Sequence, residues 1–405
     1  MSVLLYNIGL FLYSVGIHFT ALFNEKARKW ILGREDIFSR LKQVCFQDTI
    51  WFHCASVGEF EQGMPLLKKL RDKYPDSSFL VTFFSPSGYE YARKRYSDLP
   101  IFYLPSDTKQ HAVQFIEIIQ PKAVFFIKYE FWFHYLNELK KQHIPTFLIS
   151  GIFRKGQAFF SFYGGLHRRM LSCFTWLFLQ NEESKKMLDN IGLRNSGVFG
   201  DTRFDRVDEL SKMDLNDTII QDFTKHAKVF IGGSVWSTDQ ETLSRIISLL
   251  PTDWKIILAP HEIGHYETKW IQEEIVTHSA YNSSSARILI LDTLGVLSKL
   301  YRKASIVYIG GGYGKGIHNI LEAAIYNIPI LIGPKFEKFR EAVDLVGEGV
   351  VFDMAENGTE KTLVRLLHEE EFYKAVRDRC SSYMSRQTNV SEKILVFLTE
   401  RKLLS

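Results

Sequence analysis

Cysteine is scarce in this chain, four residues in 405, and Cys45, Cys54, Cys173 and Cys380 lie far apart with no CxxC pair among them. That spacing fits neither a zinc site nor a disulfide framework, and it suits a reducing, cytoplasmic setting. A strong charge of either sign is missing too: 50 Lys and Arg against 46 Asp and Glu leave a formal net charge of +4. Such an excess is too small to mark a nucleic-acid binder, although a local basic cluster can still meet anionic lipid. There is no short tandem repeat and no low-complexity tract. No GxGxxG opens the first βαβ unit and no GxxxxGK[ST] loop occurs, so a dinucleotide or P-loop ATP site is poorly supported.

What is present is the composition of an ordinary globular protein, 46% hydrophobic and 24% charged, which argues against disorder and against a polytopic membrane protein. A chain of 405 residues exceeds what one core organises, so two domains are expected. The aromatic residues, 32 Phe and 18 Tyr among them, read mostly as core.

From Ser2 to Asn24 no Asp, Glu, Lys or Arg occurs. The run VLLYNIGLFLYSVGIHFTALF is long enough to cross or lie in a bilayer about 30 Å thick. No basic residue precedes it and no small-x-small site follows it, which argues against a cleaved signal peptide. Lys26, Arg28, Lys29 and Arg34 come next, where basic side chains favour the cytoplasmic side and contact lipid phosphates. Asn7, Ser14 and His18 interrupt the run, so an interfacial helix is the alternative to a span, and a buried first helix is the plain structural reading.

After Thr49, short β-branched or aromatic runs alternate with amphipathic stretches, the pattern of an α/β fold with a parallel sheet covered by helices. Strands are expected near 50–54, 78–84, 101–104, 123–128, 146–150 and 176–180. Residues 200–222 turn polar and predict an interdomain linker. A second series follows near 229–234, 254–260, 286–292, 305–311 and 328–333. The chain thus reads as residues 1–24, an apolar membrane-associated helix, then 25–208 and 209–405, two doubly wound (Rossmann-like) domains facing across a cleft. Ligands in such folds bind beyond the carboxyl ends of the strands.

Several turns at those ends carry candidate chemistry. His53-Cys54-Ala55-Ser56-Val57-Gly58-Glu59 joins the first strand to a helix, and Glu59 there can serve as a general base or simply as a carboxylate at a helix amino terminus. Ser85, Ser87 and Gly88 form a second cradle that would alone be a helix cap. Glu130 follows the fourth strand, and two acids at such positions in one sheet signal more than either alone. Arg203 opens the linker and can meet an anionic ligand or a surface acid. In the second half, Gly232-Gly233-Ser234 ends one strand, and Gly310-Gly311-Gly312 ends another before Gly316, His318, Asn319 and Glu322. These glycines let a phosphate approach, the following helix offers its positive end, and Glu322 suits a ribose hydroxyl; a glycine-rich structural turn is the plain alternative. Pro260-His261-Glu262 ends a further strand on the same side, and His261 by spacing alone is an ordinary structural histidine.

In order, HCASVGEF, TFFSPSGYE, YLPSD, YEFW, QNEES, GDTRFD, APHE, GGGYGKGIHNILEAA and IPILIGP resemble the motif series of the bacterial 3-deoxy-D-manno-octulosonic acid (Kdo) transferases, from about residue 3 to the end. The resemblance implies a GT-B type fold. It further implies CMP-Kdo as donor and a lipid A precursor as acceptor, in lipopolysaccharide core assembly at the cytoplasmic face of a Gram-negative inner membrane. No cofactor and no metal ion is implied. Glu59 falls on the family's proposed base, and Asn319 and Glu322 fall on nucleotide-binding positions. Gly232, Gly233, Ser234, Pro260, His261, Glu262, Gly311, Gly312, Gly316 and His318 would line the same nucleotide site. Ser56, Gly58, Ser85, Ser87, Gly88, Glu130, Arg154 and Arg203 would line the acceptor side. Relatives often carry an acid where this chain has Lys128, and the family's arginine after TFLIS aligns with either Phe153 or Arg154. A UDP-sugar transferase or epimerase, and a membrane-docked binding protein without turnover, remain the alternatives.

Overall fold

The computed structural model describes residues 3–264, 267–282, 285–355 and 359–404. The chain divides into two compact units, Met1–Arg206 together with Asn389–Ser405, and Val207–Thr388.

In the first unit, β1 (Thr49–Cys54), β2 (Phe79–Phe83), β3 (Ile101–Tyr103), β4 (Pro121–Ile127), β5 (Thr146–Gly151), β6 (Trp176–Leu179) and β7 (Ser196–Val198) form one sheet in the order β3-β2-β1-β4-β5-β6-β7. Every pairing in it is parallel. The central strands TIWFHC and FLVTF are buried along their whole length, as expected of parallel strands covered on both faces. One face packs Trp51, Phe115, Tyr135 and Leu148 among others, and the opposite face packs Phe52, Phe60, Phe125 and Phe147.

The second unit repeats the plan with β8 (Val229–Val235), β9 (Lys255–Pro260), β10 (Ile275–Thr277), β11 (Ile288–Ile290), β12 (Ile306–Ile309), β13 (Ile330–Ile332) and β14 (Val351–Asp353), in the parallel order β10-β11-β9-β8-β12-β13-β14. In each sheet the chain starts in the middle and winds first to one edge, then to the other. The reversal falls between β1 and β4 in one unit and between β8 and β12 in the other. A doubly wound sheet opens a crevice at such a point, outside the carboxyl ends of the strands.

Three features differ from the sequence expectation. Residues 200–222 are not an open linker: the helix Arg203–Ser211 runs through the boundary between the units, and Thr218–Phe223 is helical as well. The final segment, placed by sequence in the second domain, belongs to the first unit. Val390, Ile394 and Leu398 of the helix Val390–Glu400 enter its core, and Asp205 accepts the N–H groups of Val390 (3.0 Å) and Ser391 (2.6 Å). Third, Arg34 does not reach outward. Its guanidinium lies 3.8 Å from the Trp30 ring centre and donates to the carbonyls of Trp30, Phe84 and Leu104, which locks the β2 and β3 ends together. Burial pushes its pKa down to about 9. Lys26 and Arg28 remain exposed.

The helix Val3–Thr20 is apolar, with a mean hydropathy of 1.5, and none of its residues is buried. It is nevertheless fastened to the first unit. The Tyr6 hydroxyl donates to Asp107 (2.5 Å), and Asn7 meets the His134 ring (2.7 Å).

Candidate active site

At the reversal point of the first sheet, β1 ends at Cys54 and Ser56 caps the helix Val57–Lys73. The Ser56 hydroxyl accepts from the Glu59 N–H (3.5 Å), while Glu59 Oε2 accepts from the N–H groups of Ala55 (2.5 Å) and Ser56 (3.1 Å). This is a capping box, so the plain reading of Glu59 as a helix-terminus carboxylate holds. It does not use up the group, because Oε1 makes no hydrogen bond among the described residues. Burial, and next the charge of Glu130, push the Glu59 carboxyl up to about 7; the two backbone bonds and Lys128 act the other way. A carboxylate with that proton affinity is matched to abstracting a proton at neutral pH.

Glu130 sits beyond β4 in a buried chain of polar contacts. Its Oε2 accepts from Trp132 Nε1 (2.8 Å) and lies 2.9 Å from His53 Nε2. On the other side, His53 Nδ1 is 2.8 Å from the Thr82 hydroxyl, which already accepts from Trp51 Nε1 (2.7 Å). The Thr82 hydroxyl also lies 3.5 Å from the Phe52 carbonyl, and Trp132 Nε1 also points at His53 Nε2 (3.0 Å), so His53 sits at the centre of one buried polar cluster that ends at Glu130. His53 was visible only as part of a motif; on β1 it alternates with apolar neighbours, and nothing local announces its acidic partner 77 positions away.

Around these acids stand Tyr129, Arg154, Asp201 and Arg203. Burial raises the Tyr129 hydroxyl pKa; Arg154 and Arg203 oppose the rise, while Asp201 and Glu59 add to it, which places all four near that ring. Of the two positions open to the family's arginine, Phe153 is in the core and Arg154 is exposed on the turn after β5. Arg203 Nε donates to Asp201 Oδ2 (2.7 Å), and Asp201 also accepts from Gln62 Nε2 (2.6 Å), so Arg203 is tied to an acid of its own unit. Ser85 caps the helix Pro86–Arg95 by accepting from the Gly88 N–H (3.2 Å), with Ser87 Oγ 3.4 Å away. A Cβ on Gly88 would strike the Phe83 ring at 2.5 Å, whereas one on Gly58 would meet nothing within 4 Å. Of the two glycines, only Gly58 leaves room at the site.

The second unit has a different character. A Cβ on Gly233 would lie 1.9 Å from the Tyr301 hydroxyl, one on Gly232 2.9 Å from Leu258, one on Gly312 2.6 Å from the Gly333 backbone, and one on Gly316 2.8 Å from Phe339. These glycines face protein neighbours, so internal packing already requires them. Gly311 (φ 92°) and Gly316 (φ 124°) also take backbone conformations closed to most side chains. Ser234, next in the β8 turn, has φ 50°. The turn is pinned by Asp239, a fully buried acid that sequence reading passed over. It accepts from the Trp236 N–H (2.8 Å), the Tyr308 hydroxyl (2.9 Å) and the Gly311 N–H (3.0 Å), joining the ends of β8 and β12 across the reversal point.

Beside it, the His261 ring, just past Pro260 at the end of β9, lies over Trp236 (centres 4.2 Å apart) and His318 (4.4 Å), and Trp236 Nε1 donates to His318 Nε2 (2.9 Å). Burial, then His261, lowers the His318 pKa, in keeping with a neutral ring that accepts at Nε2. His261 and Glu262 are exposed. The helix expected after the glycine turn is a single turn, Leu321–Ala324. Asn319 precedes it, accepting from the Leu321 N–H (3.2 Å) and donating to Glu322 (2.9 Å). Any positive end it offers is therefore short and already engaged by Asn319. Among the described residues no three His, Cys, Asp or Glu side chains converge as a metal site requires.

Comparison with known proteins bears on both units. Residues 29–206 match the family model of the 3-deoxy-D-manno-octulosonic-acid transferases (kdotransferases). The chain is 27% identical over 301 residues to the 3-deoxy-D-manno-octulosonic acid transferase of Chlamydia trachomatis serovar A, covering 70% of each protein. It is 25% identical over 377 residues to that of Rickettsia felis, covering 87% of this chain and 79% of the relative. A bifunctional glycosyltransferase/methyltransferase from Fusobacterium nucleatum is 25% identical over 94% of this chain, which spans 59% of that protein. Among solved structures, UDP-GlcNAc 2-epimerase from Neisseria meningitidis bound to UDP-GlcNAc superposes with a TM-score of 0.62 at 16% identity, over 87% of this chain and all of that one. The epimerase from Methanocaldococcus jannaschii reaches 0.54 at 15%, over 80% and 93%. At such identities the likeness is one of fold, the GT-B type.

Proposed function

We propose that this chain, related in sequence to the Kdo transferases along most of its length, is an inverting glycosyltransferase that moves Kdo from CMP-Kdo to a lipid A precursor in lipopolysaccharide core biosynthesis. The observation that carries the reading is the Glu59 carboxyl, held at the reversal point of the first sheet with one oxygen fixed by backbone N–H groups and a pKa near 7. In the proposed step Glu59 takes the proton of a sugar hydroxyl of the acceptor. That oxygen forms a bond to the anomeric carbon of Kdo from the face opposite CMP. The bond from that carbon to the CMP phosphate oxygen breaks, its electron pair leaves with CMP, and the configuration inverts. The first unit would hold the acceptor and the second the donor, whose phosphate and ribose would meet the turns carrying Ser234, His318, Asn319 and Glu322. The exposed apolar helix Val3–Thr20, fixed along one side to the first unit, supports attachment within the interface of the inner membrane, on its cytoplasmic face, rather than a free span.

Mass spectrometry of the lipid product after incubation with CMP-Kdo tests donor, acceptor and transfer together. A product heavier by one or more Kdo residues is expected, with inhibition by CMP and not by UDP. Inhibition by UDP alone, or no product from active-site-intact protein, would refute the assignment.

A further inference from the structure

The helix Val3–Thr20 does not close flat onto the first unit. Between them lies a cavity of about 630 Å³, walled by Leu10, Phe11 and Tyr13 of the helix and by Trp30, Phe84 and Trp132 of the body. Its volume is that of a small-molecule pocket; polar side chains such as Asn7, Asp107, His111 and His134 also border it, yet most of its exposed wall area is apolar. Along the apolar side water gains little, and a void there would forfeit dispersion contacts with six large side chains. Hydrocarbon is the filling such a wall selects.

Two observations choose among sources of hydrocarbon. The same helix exposes Leu4, Leu5, Ile8, Leu12, Val15 and Phe19, and the wall residues Phe11 and Tyr13 are exposed as well, so the cavity opens onto the surface that reads as membrane-facing. A chain can pass from bilayer to cavity along apolar surface. At the inner side, Trp132 is part of the wall, and its indole N–H donates to Glu130 Oε2 (2.8 Å) in the carboxylate cluster described above. The cavity therefore backs onto the place where the acceptor hydroxyl is to be activated. Exposed Lys109, which also borders it, suits the anionic end of a lipid.

We propose that this cavity receives one fatty-acyl chain of the lipid acceptor, which makes the amino-terminal helix part of the acceptor site as well as a membrane contact. The inference rests on the transferase reading. A bulk membrane phospholipid would not need a cavity beside the carboxylates.

The test compares kcat/KM, in detergent, for the lipid A precursor and for the same disaccharide stripped of its acyl chains. Wild-type protein should favour the acylated acceptor at least tenfold, since several buried CH₂ groups each contribute to binding. Ser14→Trp, which puts an indole into the cavity from the helix, should reduce that preference towards one, and Ser14→Ala should keep it. Leu10→Trp gives a second filling from another position should Ser14→Trp not fold. Equal use of both acceptors by the wild type, or a preference that survives both fillings, overturns the inference while leaving the transferase reading standing. Absence of transfer to either acceptor overturns both.

Discussion

The two units share a plan and differ in what they bury at the same point of it. At the first reversal point lie His53, Glu130 and Glu59, the last a carboxylate whose proton affinity is raised by burial and next by the charge of Glu130. At the second lie glycines pressed against their neighbours and one acid, Asp239, that spends its oxygens on three hydrogen bonds of the protein itself. One carries a carboxyl that titrates near neutral pH, and the other a turn tied down by its own packing. A doubly wound sheet supplies the place, while the side chains at its strand ends decide between chemistry and grip.

The sharpest way to break that comparison is Glu59→Ala. Transfer should fall by about 10²–10⁴-fold, the range of a lost general base, while CMP-Kdo binding measured by calorimetry persists. Loss of donor binding, or near wild-type turnover, would remove the division of labour. Next is Asp239→Ala, which removes the acceptor shared by the Trp236 and Gly311 N–H groups and the Tyr308 hydroxyl; a cost of about 3 kcal/mol should appear as a lower melting temperature, even without substrate. An unchanged melting temperature would show the second turn to be held by something else. Glycine substitutions should separate the units more finely. Gly312→Ala drives a methyl into the Gly333 backbone and should cost about 1–3 kcal/mol, whereas Gly58→Ala enters open space inside a helix and should be neutral or stabilising by about 0.5–1 kcal/mol in urea unfolding.

The smallest effect is on pH dependence. The base must be ionised, so kcat/KM should rise with pH and level off above about 7. Glu130→Gln removes the charge that helps raise this pKa, so the rising limb should move to lower pH; a limb that stays in place would uncouple the two acids. The same shift acts on stability with the opposite slope. Because the folded-state pKa lies above the usual 4.5, the folded chain holds this proton more tightly, and its contribution to stability declines as pH climbs from about 4.5 to 7.

The central strands were legible because parallel strands covered on both faces are nearly continuous apolar runs, as TIWFHC and KIILAP are. The edge strands Ser196–Val198, Ile275–Thr277 and Val351–Asp353 were not: three residues carry no period, and only a neighbouring strand defines them. Polarity at 200–222 suggested an open linker, yet Asp205 faces inward to hold the Val390 turn, a partner 185 positions away that no local pattern reveals. Candidate acids were found from their place after strands. What joins them was hidden, since His53 and Asp239 acquire meaning only when distant strands bring Glu130 or Gly311 beside them. The glycines misled in the other direction: the residue type required for a phosphate to approach is also the type required where two backbones touch, as at Gly312 and Gly333.

The return of residues 389–405 to the first unit has a consequence for how the molecule is made. Trp176, Phe178 and Phe199 wait for Phe397, and the place beside Gly200 waits for Val390, until all of the second unit has been translated. The amino-terminal half thus leaves the ribosome with an apolar helix and an unfinished core, and it must persist in that form while some 180 further residues emerge. A fragment ending at residue 206 would expose that unfilled surface, so the separately expressed half should aggregate unless the helix 390–400 is supplied in trans.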